Sequence, residues 1–358
     1  MNFEEFKQQL MEDLKEALSR RVGTEIAVEE NEVHKLQQES YDGIVIRKEN
    51  ESIGVNVDAT RLYSDLEQGR AYEDVLHYAV DIAQKGFEDA PKIDISQIMN
   101  YEVMKHSLIT QLIPVAGNED MLANIPHKQI EDLALVYRFS VGRDEHGQST
   151  ILVKNDMLDR YGITAEQLHQ DALENAPLTH PASLRSMQEV MADMMGMKPE
   201  EIATGEPMML VAAVEGSFMG ASVIQYPGFM DQAAEKIGGD FFVLPSSIHE
   251  VLLIPDDGTQ DYHDLAEMVQ TINETQVAPA ERLSDNVYHY DKADRVFELA
   301  DKTASRKLAQ EMEKKAAARG GAEKKPSVLE QLGEKKKEAM DHAPKAKASG
   351  RTAPEAAL

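Results

Sequence analysis

Residues 240–254 read DFFVLPSSIHEVLLI, with two apolar runs on either side of a short polar segment. The runs 240–244 and 251–254 are rich in the branched and aromatic side chains that strands favour. Proline and serine at 245–247 interrupt the apolar pattern in the way that turns do. We therefore predict two strands joined by the polar segment 245–250.

Strand and helix patterns alternate on both sides of this stretch. Apolar residues three or four positions apart predict helices, and alternating or short continuous apolar runs predict strands. The predicted helices are 3–18, 59–68, 72–84, 155–161, 164–175, 182–195, 229–237, 265–272 and 300–319. The predicted strands are 24–33, 43–47, 53–57, 107–115, 133–141, 149–154, 208–214, 221–225, 240–244 and 251–254. This mixture predicts an α+β fold with mixed or antiparallel sheets and flanking helices.

Two segments share one order of elements. Residues 131–176 and 206–240 both run apolar strand, polar turn, apolar strand and short helix. Such a parallel indicates an internal repeat of a strand-strand-helix unit, although the two segments have little identity.

The chain divides into a folded body and a biased tail. Its length of 358 residues is more than one ordinary domain needs. We predict an N-terminal α/β subdomain at 1–92, a central hairpin and helix subdomain at 93–180, and a C-terminal α/β subdomain at 181–300. Residues 301–358 are rich in Lys, Ala, Pro and Glu, which predicts a helix-prone basic tail that is disordered from about residue 320.

Composition excludes several classes of site. The chain has no cysteine, so it has no disulfide, thiol nucleophile or cysteine-ligated metal. It has no apolar run long enough to cross a bilayer, and its N-terminus is acidic where a signal peptide is basic. We therefore expect a cytoplasmic protein without a membrane span.

The charge is strongly acidic and unevenly placed. Residues 1–300 hold 55 Asp and Glu against 23 Lys and Arg, whereas residues 301–358 hold 9 against 14. Nucleic-acid affinity depends on cationic side chains, so we expect no direct nucleic-acid binding by the body. An acidic surface is usually a solvated one; the alternative is an acidic mimic of nucleic acid that binds a basic partner.

Motifs for known chemistry are missing from the sequence, including phosphate-binding loops, dinucleotide fingerprints, paired zinc histidines and the hydrolase elbow. The densest polar group is Ser246, Ser247, His249 and Glu250. A hydroxyl, an imidazole and a carboxylate can support nucleophilic or general-base catalysis if they converge in one pocket, here with help from Asp132. The simpler interpretation is a turn whose hydroxyls bind backbone groups.

Methionines cluster at positions 187, 191, 194, 195 and 197. Methionine fills irregular cores, and it also lines adaptable recognition surfaces. Core filling by a helix over 182–195 is the commoner cause and is our expectation here.

Several segments resemble one family. They are 132–137 (DLALVY), 150–155 (TILVKN), 220–227, 242–251 (FVLPSSIHEV) and 283–288 (LSDNVY). Together they are similar to an uncharacterised bacterial domain-of-unknown-function family of Gram-positive gut bacteria, often carried on conjugative or integrative elements. The resemblance covers roughly residues 1–300 and implies a fold but no activity, cofactor or site residue.

The function we expect is that of a non-enzymatic, cytoplasmic accessory or protein-interaction protein associated with a mobile element. A protein partner is expected, and no cofactor or metal. One alternative is a hydrolase-like enzyme with a Ser/His/Glu site near residues 246–250. The other is the acidic nucleic-acid mimic.

Overall fold

The computed structural model describes residues 1–33, 41–49, 54–89, 95–144, 147–202 and 209–319. The chain forms two compact units, Met1–Thr303 and Ala304–Leu358. The tail predicted to be disordered from about residue 320 lies outside the described residues. No helix in the described part of the chain is long and apolar enough to cross a membrane.

The N-terminal part is a three-stranded antiparallel sheet packed with helices. Its elements are α1 (Phe3–Val22), β1 (Ile26–Val33), β2 (Tyr41–Lys48), β3 (Val55–Asp58), α2 (Ala59–Glu67) and α3 (Tyr72–Asp89). The apolar stripe of α1 is fully buried at Phe6, Leu10, Leu14 and Leu18. Helical spacing therefore predicted this helix and its buried face correctly.

The central part is a four-stranded antiparallel sheet built around its longest strand. Its elements are α4 (Ile95–Ile98), α5 (Tyr101–Met104), β4 (Leu108–Pro114), α6 (Glu119–Leu122), β5 (His127–Ile130), β6 (Leu133–Asp144), β7 (Gly147–Leu152), α7 (Asn155–Tyr161) and α8 (Ala165–Thr179). Strand β6 pairs with β4, β5 and β7. The predicted hairpin of β6 and β7 is confirmed, with a register shift between Ser140 and Gly142.

The C-terminal part of the first unit is a six-stranded antiparallel sheet in the order β13-β12-β10-β11-β9-β8. Its elements are β8 (Ala182–Ser186), α9 (Met187–Met195), β9 (Leu210–Val214), α10 (Phe229–Ile237), β10 (Phe241–Pro245), β11 (Glu250–Pro255), α11 (Tyr262–Gln276), β12 (Tyr288–Asp291) and β13 (Val296–Leu299), followed by α12 (Ala300–Arg319). The predicted strands of the opening stretch are β10 and β11, which pair with each other. The α+β class with antiparallel sheets is therefore confirmed.

One predicted strand and the predicted repeat are wrong. Residues 221–225 belong to a 3-10 helix, Gly220–Gln225, that is almost wholly buried. A short apolar run has no periodicity that separates a buried strand from a buried helix. Strand β9 pairs instead with β8 and β11, whereas β6 pairs with β7, so the two segments differ in topology.

A single hydrophobic core joins the central and C-terminal sheets. It includes Tyr137 and Phe139 from β6 together with Val243, Leu253 and Tyr288 from the C-terminal sheet. Within it, the Thr110 hydroxyl donates a hydrogen bond to the Ser222 hydroxyl over 2.9 Å. These two parts of the fold are consequently stabilised by one shared interior, while the N-terminal sheet and helices have a core of their own.

A histidine at the edge of the shared core makes stability depend on pH. Nδ1 of His169 on α8 lies 2.8 Å from the Tyr137 hydroxyl. Burial lowers the pKa of His169 below 6.5, its ordinary value, with nearby Glu166 opposing the effect. In the unfolded chain the ring takes up its proton first as pH falls. The contribution of His169 is therefore complete above about pH 6.5 and is lost as pH falls through the folded-state pKa.

We expect His169→Gln to reduce this pH dependence. The measurement is the free energy of unfolding in urea, compared at about pH 7.5 and pH 5.5 for both proteins. The native protein should lose more stability on acidification than the variant, because the glutamine takes up no proton. Equal losses in both proteins would contradict the assignment.

Candidate functional site

The segment Pro245 to Glu250 forms a tight turn between β10 and β11. The backbone N–H of Ser247 donates to the carbonyl of Glu250 over 3.1 Å. The Ser247 hydroxyl accepts a hydrogen bond from the backbone N–H of His249 over 3.0 Å. Ser246 lies half-buried in the same turn. The Ser247 hydroxyl therefore binds the backbone and closes the turn.

The imidazole of His249 lies against a neighbouring turn. Its Nδ1 is 3.1 Å from the Ser217 carbonyl and 3.3 Å from the Met219 backbone N–H, so its tautomer decides which of them it binds. Its Nε2 is 3.6 Å from a carboxylate oxygen of Glu281. Both Ser217 and Met219 have positive φ, 55° and 57°, which is uncommon for residues other than glycine. His249 consequently supports a turn whose backbone is strained.

The two carboxylates predicted to take part in catalysis, Glu250 and Asp132, line two separate cavities. Glu250 and Ser217 line a cavity of about 360 Å³, whose wall also includes Arg185 and Val190. Asp132 lines a larger cavity of about 740 Å³ with Arg282, Ser284 and Asn286. The structure thus brings His249 to the backbone of Ser217, beside the cavity that Glu250 lines, and places Asp132 elsewhere. A catalytic role for Ser246, Ser247, His249 and Glu250 stays a prediction.

Asp132 is the centre of a hydrogen-bond network that sequence reasoning did not foresee. Its Oδ2 accepts from the Ser284 hydroxyl at 2.7 Å and from the Asn286 side chain at 3.0 Å. Its Oδ1 accepts from the Tyr288 hydroxyl at 2.6 Å. Burial raises the pKa of Tyr288, and the charge and hydrogen bond of Asp132 raise it further. Three donors thus occupy this carboxylate, which suits a tether between the two sheets better than a general base.

One group of side chains has the spacing of metal ligands. Asp240, Asp256 and His289 place a ligand atom each within 4.8 Å of one another. Nε2 of His289 lies 2.9 Å from Asp256, and Nδ1 is buried without a hydrogen-bond partner among the described residues. A metal on Nε2 would require the proton on Nδ1, where metal-binding histidines usually have an acceptor. The group therefore fits better as a hydrogen-bonded link between β11 and β12.

The methionine cluster is on the surface. Met191, Met194 and Met195 are 37%, 84% and 62% exposed, and Met197 just beyond the helix is 43% exposed. The residues Met187, Met191, Met194 and Met195 follow helical spacing, and we call them the methionine face of α9. The opposite side of α9 packs inward through Ala192, which is fully buried. The expectation that these methionines fill the core is therefore wrong, and so is a single helix over 182–195, since 182–186 form β8.

Local interactions hold α9 in place below this face. Ser186 caps its start, accepting from the Glu189 backbone while the Glu189 carboxylate accepts from Ser186. The Gln188 amide donates to the carbonyls of Pro199 and Ile202 at 2.7 and 3.0 Å. Gly196 ends the helix in the left-handed conformation, with φ of 64°. The methionine face is thus presented on an anchored helix.

Comparison with known proteins gives a family match that spans most of the folded body. The profile described as "Family of unknown function (DUF5688)" matches residues 3–292. No curated protein and no solved structure matches the chain. The expectation of an uncharacterised domain family spanning the folded body is therefore confirmed.

Proposed function

We propose that this chain, which belongs to the DUF5688 family of unknown function, works by binding another protein through the methionine face of α9. The observation that carries the proposal is the exposure of Met191, Met194 and Met195 on one anchored helix. A soluble protein gains nothing in stability from such side chains in water. An exposed apolar cluster is typical of an interaction surface.

The chemistry of methionine supports binding to a protein. Its side chain is unbranched and polarisable, so it adapts to the shape of a partner surface and still buries apolar area. Each methionine fully removed from water contributes about 1.5–3 kcal/mol. Three or four of them on one helix can therefore supply a large part of a binding free energy, once the cost of association is met.

The geometry of the 245–250 turn favours binding over catalysis. The Ser247 hydroxyl accepts from the backbone of His249, and the ring of His249 lies against the Ser217 and Met219 backbone. A nucleophile and its base need a direct hydrogen bond with each other. These contacts are those of a structural turn, which supports a non-enzymatic function.

The cellular setting belongs to the same proposal. A cytoplasmic location is part of the proposal, and a chain without cysteine has no disulfide that would call for an oxidising compartment. An accessory role on a bacterial mobile element is carried over from the resemblance of the sequence motifs and rests on that resemblance alone.

The proposal is tested with two matched triple variants of the full chain, each tagged and produced in its native cells. The face variant is Met191→Gln with Met194→Gln and Met195→Gln; glutamine keeps the length and helix propensity of methionine. The control variant is Met99→Gln with Met268→Gln and Met312→Gln, which are also exposed. We expect a protein that copurifies with the native chain and the control variant to be lost from the face variant. The same copurifying proteins in all three samples would contradict the proposal.

A further inference from the structure

The cavity of about 360 Å³ lies directly beside the methionine face. Val190 of α9 forms part of its wall, with Ser183, Arg185 and Ser217. Met187 and Met194 stand three residues before and four residues after Val190, so both are its neighbours on the helix surface. Val190 therefore links the methionine face to the wall of the cavity.

The charge inside this cavity is negative. Glu215 and Glu250 line it, and in the part of the chain that the structure describes neither carboxylate has a cationic partner. Arg185 also lines it, but its guanidinium is already bound to the carboxylate of Asp193 and to the Glu189 carbonyl. The cavity therefore has two carboxylates available to a cation.

The surrounding sequence offers few basic residues that could neutralise these two carboxylates. Residues 199–281 contain 15 Asp and Glu and one basic residue, Lys236. The ammonium of Lys236 donates to the Leu184 carbonyl at 2.8 Å. Charged groups in a partly enclosed cavity attract an opposite charge more strongly than the same groups on an open surface.

We infer that the partner of the methionine face is an amphipathic helical segment of another protein, with apolar side chains on the methionines and a lysine or arginine in the cavity of Glu215 and Glu250. This inference rests on the proposed function and adds the chemistry of the partner. Apolar contact supplies affinity, and the cation sets the position of the segment along α9.

The test uses the full chain and a fluorescent peptide of leucine and lysine about four helical turns long, with leucine at helical spacing. Its control peptide has serine in place of leucine and the same charge. Fluorescence anisotropy gives the dissociation constants. We expect the leucine peptide to bind, and the serine peptide to bind at least about tenfold more weakly because it cannot cover the methionines.

Matched variants separate the cavity from the general acidity of the protein. Glu215→Gln with Glu250→Gln should weaken the binding of the leucine peptide at least about tenfold, since two charge-assisted contacts are lost. Asp264→Asn with Glu267→Gln removes the same charge from the exposed side of α11 and should leave the affinity within about twofold.

The possible negative results distinguish failure of this inference from failure of the proposed function. No binding of the leucine peptide, equal binding of the serine peptide, or equal weakening by both charge variants would overturn the inference. If the Glu215/Glu250 variant kept the native affinity while the face variant lost it, the role of the cavity would be ruled out and the proposed function would stand. Native affinity of the face variant for the leucine peptide would count against the proposed function as well.

Discussion

Asp132→Ala is expected to lower the free energy of unfolding by about 3 kcal/mol. The substitution leaves three donors without their acceptor, those of Ser284, Asn286 and Tyr288. The Tyr288 hydroxyl dominates the loss, because the residue is 1% exposed and its hydroxyl accordingly depends on the carboxylate for a partner. Hydrogen bonds to a charged group are among the stronger ones in proteins.

Urea unfolding measures this loss, with two comparison variants. Tyr288→Phe removes one donor and keeps the carboxylate, so we expect a smaller loss of about 1–2 kcal/mol. Asp156→Ala removes an exposed aspartate paired with Arg160 on α7 and should cost no more than about 0.5 kcal/mol. If Asp132→Ala were as mild as Asp156→Ala, the network would not stabilise the fold.

Gly220→Ala is expected to lower the free energy of unfolding by about 2 kcal/mol. A methyl group on Gly220 would lie 2.5 Å from the His249 carbonyl oxygen and 2.6 Å from the Val214 nitrogen. Both are backbone atoms, so no change of rotamer relieves the contact. The turn and β9 must move apart, which weakens the hydrogen bond from Ala221 N–H to the Ile248 carbonyl.

The matched control is Gly239→Ala, where the added methyl group meets no atom within 4 Å. We expect this variant to keep the stability of the native protein within about 0.5 kcal/mol. The two proteins are compared by urea unfolding. Equal stability of the Gly220 and Gly239 variants would show that the packing around the 245–250 turn is looser than described.

Periodic elements were predictable because their signal is local. Helix α1 has one apolar stripe, and β6 is a long run of branched and aromatic side chains, so spacing alone identified both. The same reasoning did not identify the 3-10 helix Gly220–Gln225, which it predicted as a strand. Its apolar residues are buried on all sides, and its conformation depends on contacts with the distant Thr110.

The candidate sites were less predictable, because they depend on which residues meet. Asp132 and Tyr288 are 156 positions apart, and a network of this kind has no spacing to find. Two of the segments that carry the family resemblance, 132–137 and 283–288, contain these partners. Their joint presence was the one available signal.

The methionine face shows a different limit of prediction from sequence spacing. Spacing along α9 identified the apolar side chains but could not decide whether they face the core or the solvent. Small Ala192 gives no strong pattern, yet it is the residue that α9 buries. Which side of a short helix packs inward is decided by the sheet beneath it.

Binding of a partner protein through α9 is tested most sharply by contact at the methionine face itself. A diazirine amino acid is placed at position 194 of the full chain, and in a second protein at position 99, whose methionine is also well exposed. Both proteins are irradiated in their native cells. We expect one discrete crosslinked protein from position 194 that does not form from position 99. No crosslink at 194, or the same crosslinks at both positions, would contradict it.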